Sequence, residues 1–176
     1  MIPVIITAIL LGTGAGALMG LFAGAFSFIV WTFTPPNPAI AFLFSPFYSL
    51  GTVQGNFFSV ITCFVPRVMV GVLTGAVFFA AKKTAERGNA ASVIVYGTAA
   101  ALGSLANTVL TLACWWLFFY DKISELMELS GVGNFFNAII GTTFLVNGLP
   151  EAAVSVVAGV FICMPLRRLF VKQKFI

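Results

Sequence analysis

The chain has 176 residues, nine basic and five acidic side chains and no histidine, and 60% of it is hydrophobic with a mean hydropathy of +1.08. So few charges cannot hydrate the surface of a soluble domain, and without histidine the commonest general base and metal ligand are missing. A bilayer requires this pattern, because each spanning helix needs roughly 20 mostly apolar residues.

The sequence therefore predicts an all-α, polytopic membrane helical bundle of about five helices, with residues 1–176 forming a single integral membrane domain. The net charge of +4 sits in short clusters flanking apolar runs, which is a topology signal and not a nucleic-acid footprint. Cys63, Cys114 and Cys163 lack CxxC spacing and lie in apolar context, so they read as buried small hydrophobes. Met1-Ile2-Pro3 offers no positive n-region of a secretory signal.

Met1 to Phe33 is one apolar stretch, and as a single helix it would span roughly 50 Å against a hydrocarbon core of about 30 Å. Gly12-Thr13-Gly14 is the expected break, giving a short helix from Ile2 to Leu11 and a second from Ala15 to Trp31. Gly12, Gly16, Gly20 and Gly24 recur every four residues and make a flat face that another helix can approach closely. That face suits either packing within the chain or docking to another membrane protein.

Thr34 to Thr62 is the longest irregular region. Pro35-Pro36-Asn37-Pro38, Ser45-Pro46 and the run from Gly51 to Asn56 break any long helix. It is rich in phenylalanine and uncharged, so it is expected to fold back over the bundle as a lid or a re-entrant segment. Phe64 to Ala81 is the next span, closed by Lys82, Lys83, Glu86 and Arg87. Ala90 to Tyr120 follows, long enough to be tilted or broken. Asp121, Lys122, Glu125 and Glu128 mark a polar connection. Asn134 to Arg167 is the last apolar segment, with an expected break at Asn147-Gly148-Leu149-Pro150.

The positive-inside rule puts the Lys82 to Arg87 loop and the tail from Arg167 through Arg168, Lys172 and Lys174 in the cytoplasm, and the two other loops outside. An odd number of spans then places Met1 outside.

Few polar groups remain inside the apolar runs. Arg67, after Pro66, is a cation that must find a partner: Glu151, backbone carbonyls or an anionic ligand. Glu151 follows Pro150, where a broken helix with a carboxylate would build a polar site. Asn107-Thr108 must bond between helices or in a cavity. Of Trp115 and Trp116, one turns away from lipid if the other faces it, because neighbours on a helix are about 100° apart. No nucleophile and base pair, paired acids or Walker motif is present, so transport or ligand capture stands ahead of enzymatic chemistry.

Taken in order, Ile2-Pro3-Val4-Ile5-Ile6 to Leu11-Gly12 with Gly16 and Gly20, Pro66-Arg67 with Gly71 and Gly75, Gly103-Ser104-Leu105-Ala106-Asn107-Thr108-Val109-Leu110, and Asn147-Gly148-Leu149-Pro150-Glu151 resemble the substrate-binding S component of energy-coupling factor (ECF) vitamin transporters, most closely the pantothenate type. The resemblance runs over nearly the whole chain. It implies a six-helix bundle with cytoplasmic termini, a vitamin site near the outer face closed by loops, and partnership with a transmembrane coupling subunit and two cytoplasmic ATPase subunits. It begins at the family's second helix, and the first has no counterpart here.

The substrate-binding residues expected on this basis are Arg67, Asn107, Trp115, Asn147, Glu151 and Tyr48. Arg67 would meet a carboxylate, and Asn107 and Asn147 an amide and hydroxyls. Gly12, Gly16, Gly20 and Gly24 are the expected docking face for the coupling subunit. No cofactor or metal is expected. Folate, riboflavin or pyridoxine as the vitamin, or a non-transport membrane scaffold, are the alternatives.

Overall fold

The computed structural model describes residues 1–51, 53–126 and 132–172. It is almost entirely helical. A short apolar helix α1 (Ile2–Leu11) is followed by α2 (Thr13–Phe33), a 3-10 turn (Pro38–Leu43), a two-stranded hairpin of β1 (Ser49–Leu50) and β2 (Val53–Gln54), and then α3 (Phe57–Ala85) and α4 (Asn89–Leu126). The last region contains α5 (Val132–Phe135), α6 (Leu149–Ala158) and α7 (Met164–Lys172). They are joined by π-helical turns into one continuous rod over residues 132–172. Four helical stretches are long and apolar enough to cross a membrane: Thr13–Phe33, Phe57–Ala85, Asn89–Glu125 and Gly133–Arg167. With α1 they make the expected all-α bundle.

The break between α1 and α2 falls at Gly12, whose φ of 104° is open to glycine and strained for other residues. The chain reverses there, and Ala8 of α1 packs against Gly16 of α2. α2 then runs antiparallel to α3, with Gly16 against Gly71, Gly20 against the Arg67 and Val68 backbone, and Gly24 against Phe64. A Cβ at Gly20 would collide with the Arg67 carbonyl. Gly16, Gly20 and Gly24 are the buried residues of α2. The expectation that this ladder docks a partner subunit is therefore corrected. Its glycines let two helices of the same chain touch backbone to backbone, and α3 fills the face.

Two other expectations are revised. α4 is unbroken over 38 residues, about 57 Å at 1.5 Å per residue. Its last turns carry Asp121, Lys122 and Glu125 out of the apolar zone, so that polar segment continues the helix; Glu128 lies outside the described residues. The rod is likewise continuous through Asn147-Gly148-Leu149-Pro150. The π-helical turn Phe144–Gly148, with the Leu149 N–H donating to the Phe144 carbonyl five residues back, absorbs the proline.

Two apolar cores hold the bundle together. One joins Val4, Ile5 and Ile9 of α1 to Val70 and Phe78 of α3, Val95, Tyr96, Ala99 and Ala100 of α4, and Cys163. The other joins Phe42, Leu43 and Phe44 of the 34–56 loop to Cys63, Leu112, Trp115, Phe119, Ile123 and Phe135. The loop thus folds back over the bundle. Its backbone is strapped by Ser59 Oγ donating to the Phe42 carbonyl (2.7 Å) and by a Thr32–Ser45 hydroxyl bond (2.8 Å). Between the two cores lies a layer that is not apolar.

Candidate functional site

Arg67 is held by the residue before it. Proline has no N–H, so Pro66 inside α3 leaves the carbonyl four residues back, that of Thr62, without its helical donor. Arg67 Nη1 donates to that carbonyl at 3.0 Å. Arg67 as a whole is 7% exposed, yet its Nε has no partner. Its carbon lies 5.3 Å from the centroid of Phe44. Among the described residues the one ion pair is that of Glu151 with the Met1 amino group, at 3.5 Å. Arg67 therefore sits inside the bundle without an ion-pair partner among the described residues, the Glu151 carboxylate being near enough to act on it through space but paired with Met1, and part of its donor set is unused.

α4 supplies the opposite wall. Ser104, Asn107, Thr111 and Trp115 are spaced three, four and four apart, so at about 100° per residue they share an arc of about 80°. Each carries a buried polar atom without a hydrogen-bond partner: Ser104 Oγ, Asn107 Oδ1, Thr111 Oγ1 and Trp115 Nε1. Thr74 Oγ1 of α3 is another, turned into the notch left by Gly103. Gly103 against Thr74 sets the level of α4 relative to α3 and places Arg67 between Asn107 and Thr111. A buried polar atom left unpaired costs about 1–3 kcal/mol. Several of them recur along one arc of α4, at the level where Arg67 stands on α3.

Of the residues expected to bind substrate, Arg67 and Trp115 both pack against Phe44, and Asn107 is buried on the same arc of α4 as Trp115. Asn147 is exposed on the rod, and its neighbour Gly148 is the one turned inward, against Thr108. Glu151 is half-buried and engaged with Met1. Tyr48 opens the hairpin, its carbonyl accepting from the Gly55 N–H (3.0 Å). Ser104, Thr111 and Phe44 lie in or beside this buried layer and were not singled out from sequence. The spacing along α4 carries the signal for the first two. Phe44 had none beyond its place in an uncharged aromatic loop.

Pantothenic acid transporter PanT of Lactococcus lactis subsp. cremoris (strain MG1363) is 34% identical to this chain over 158 residues, 89% of this chain and 70% of that protein. The chain belongs to the PanT family. No family model and no solved structure matches it.

The apolar groove of this PanT-family chain lies on the other side of α4. It has a volume of about 240 Å³ and is lined by Val109, Leu112, Ala113 and Trp116 with Ile140 and Phe144 of the rod. It offers no polar group, so it does not share the chemistry of the Arg67 layer.

Proposed function

We propose that this chain is the substrate-binding S component of an ECF-type importer and captures pantothenate from outside the cell. The observation that carries the reading is Arg67: buried, without an ion-pair partner among the described residues, and with its Nε unused. Pantothenate brings one carboxylate, one amide and two hydroxyls. A guanidinium edge suits the carboxylate, and Asn107, Ser104 and Thr111 suit the rest. Flat aromatic vitamins fit less well, because the loop rings are engaged with one another: Phe44 stacks on Trp31 at 4.6 Å and meets Trp115 edge-on at 5.8 Å.

In this reading the chain is a multi-pass cell-membrane protein with a cytoplasmic C-terminus. It performs no chemistry itself, and ATP is hydrolysed by two separate cytoplasmic subunits acting through a transmembrane coupling subunit. Titration of the purified protein with pantothenate tests the capture step. Arg67→Ala is expected to weaken binding by about 2–5 kcal/mol, the range for removing one member of a buried charge pair. Unchanged affinity in a folded Arg67→Ala protein would refute the site. Uptake into vesicles that depends on ATP and on the coupling complex tests the second step.

A further inference from the structure

Four elements meet at one ring. Phe44 closes the 3-10 turn of the 34–56 loop, its N–H donating to the Ala41 carbonyl at 3.0 Å. The chain on either side of it is tied to the helices. Ser59 Oγ of α3 holds the Phe42 carbonyl, and the Thr32 hydroxyl of α2 bonds that of Ser45. The ring itself is boxed in. Trp31 of α2 stacks on it with planes 23° apart, and Trp115 of α4 meets it edge-on at 69°. On the α3 side this fixed ring meets the Arg67 guanidinium, whose carbon lies 5.3 Å from the ring centroid.

The two contacts of Arg67 use different parts of the group. The Thr62 carbonyl fixes Nη1, while the ring attracts the charge through its quadrupole and takes no hydrogen bond. Together they restrain a planar group that would otherwise turn about its side-chain torsions, and they leave Nε free. Arg167 is buried in the same manner, between a carbonyl at 2.7 Å and a ring at 4.7 Å, but none of its nitrogens is left buried without a partner. The shared construction serves burial in both, and the spare donor sets Arg67 apart.

We propose that Phe44 is a positioning residue for the acid: it holds the Arg67 guanidinium in the orientation that meets a carboxylate, and so makes the preference for an acid over its neutral analogue depend on the 34–56 loop. This role rests on the pantothenate reading above. A donor already oriented loses less freedom when its ligand arrives. Loss of the ring is therefore felt more by a ligand with a carboxylate than by one without.

The test compares the affinity of the purified protein for pantothenate and for its alcohol analogue, in which a hydroxymethyl group replaces the carboxylate. The ratio of the two affinities is the readout, with unfolding temperature measured on each variant. Phe44→Leu keeps an apolar side chain and removes the quadrupole. It is expected to lower the ratio about three- to tenfold, the worth of a desolvated cation–π contact. Phe44→Tyr keeps an aromatic ring and should hold the ratio within about twofold of the parent. If Phe44→Leu does not fold, Phe44→Met poses the same question with the same expected fall. An unchanged ratio, both ligands weakening alike, would make Phe44 a packing residue and overturn the proposal. A raised ratio would show the ring competing with the carboxylate for Arg67 and would overturn it too, as would equal falls in Phe44→Leu and Phe44→Tyr. The parent protein tests the underlying reading separately: equal affinity for acid and alcohol there would sink the carboxylate site at Arg67, whatever Phe44 does.

Discussion

A single dipeptide, Pro66-Arg67, accounts for much of the site. The proline frees a carbonyl within the membrane, and the arginine occupies it with one nitrogen while its Nε edge stays unused. A buried cation without an ion-pair partner is costly, and replacing such a group with an apolar residue of similar volume is often neutral or stabilising. Arg67→Met is therefore expected to keep or raise the unfolding temperature while pantothenate binding is lost. A fall of more than about 5 °C, corresponding to roughly 1–2 kcal/mol for a domain of this size, would mark Arg67 as a structural residue. Arg67→Lys should recover part of the affinity, since an ammonium supplies charge without the planar fork. Arg167 contrasts with Arg67. It donates to the Ile9 carbonyl at the end of α1 (2.7 Å) and stacks over Phe78 at 4.7 Å. From sequence it read as one more basic residue of a cytoplasmic tail, because nothing local announces a partner 158 positions away.

Among the helices, the glycine ladder and the binding site are one construction. Gly20 touches the backbone of Arg67, so the α2–α3 approach sets where the guanidinium stands. Gly20→Ala is expected to destabilise the protein by about 1–3 kcal/mol, as overpacking does, and to weaken pantothenate binding in parallel. Gly24→Ala meets the Phe64 ring at 3.0 Å and the Phe64 Cα at 3.2 Å, a looser fit than Gly20→Ala has against the Arg67 carbonyl. It should therefore cost less on both measures, by thermal unfolding and titration; the reverse ranking would detach Arg67 from the ladder. The four-residue period was legible in the sequence, as were the Gly12 break and the folded-back loop, because each follows from local chemistry. The identity of the ladder's partner was not, since a flat face fits a helix of the same chain as well as one of another. The rod misled for a different reason. The sequence predicts a break at Asn147-Gly148-Leu149-Pro150, but the π turn at Phe144–Gly148 carries the helix through the proline and fixes which residues face inward. Gly148, Ala152, Ser155 and Gly159 face inward, and Asn147 faces out.

For the whole molecule, the remaining question is which end faces outside, and here charge and architecture point the same way. The 34–56 loop covers the Arg67 layer from one end of the bundle, and Lys122 Nζ reaches the Gln54 carbonyl from the end of α4 (2.6 Å). The opposite end carries the α3–α4 turn with Lys82, Lys83 and Arg87. Basic residues are retained in the cytoplasm, so the loop-covered end should face outward, where a substrate-capturing subunit meets its ligand. Single cysteines at Glu125 and Gly88 report on the two ends. Both positions are exposed, and a Cβ at Gly88 has nothing within 4 Å. Cys63, Cys114 and Cys163 are buried and can be removed for a clean background. A membrane-impermeant thiol reagent applied to intact cells should modify Glu125→Cys and spare Gly88→Cys until the membrane is permeabilised. The opposite pattern would put the loop-covered layer on the cytoplasmic side. Arg67 would then remain a buried anion site, but one loaded from within the cell, and capture for import would have to be abandoned.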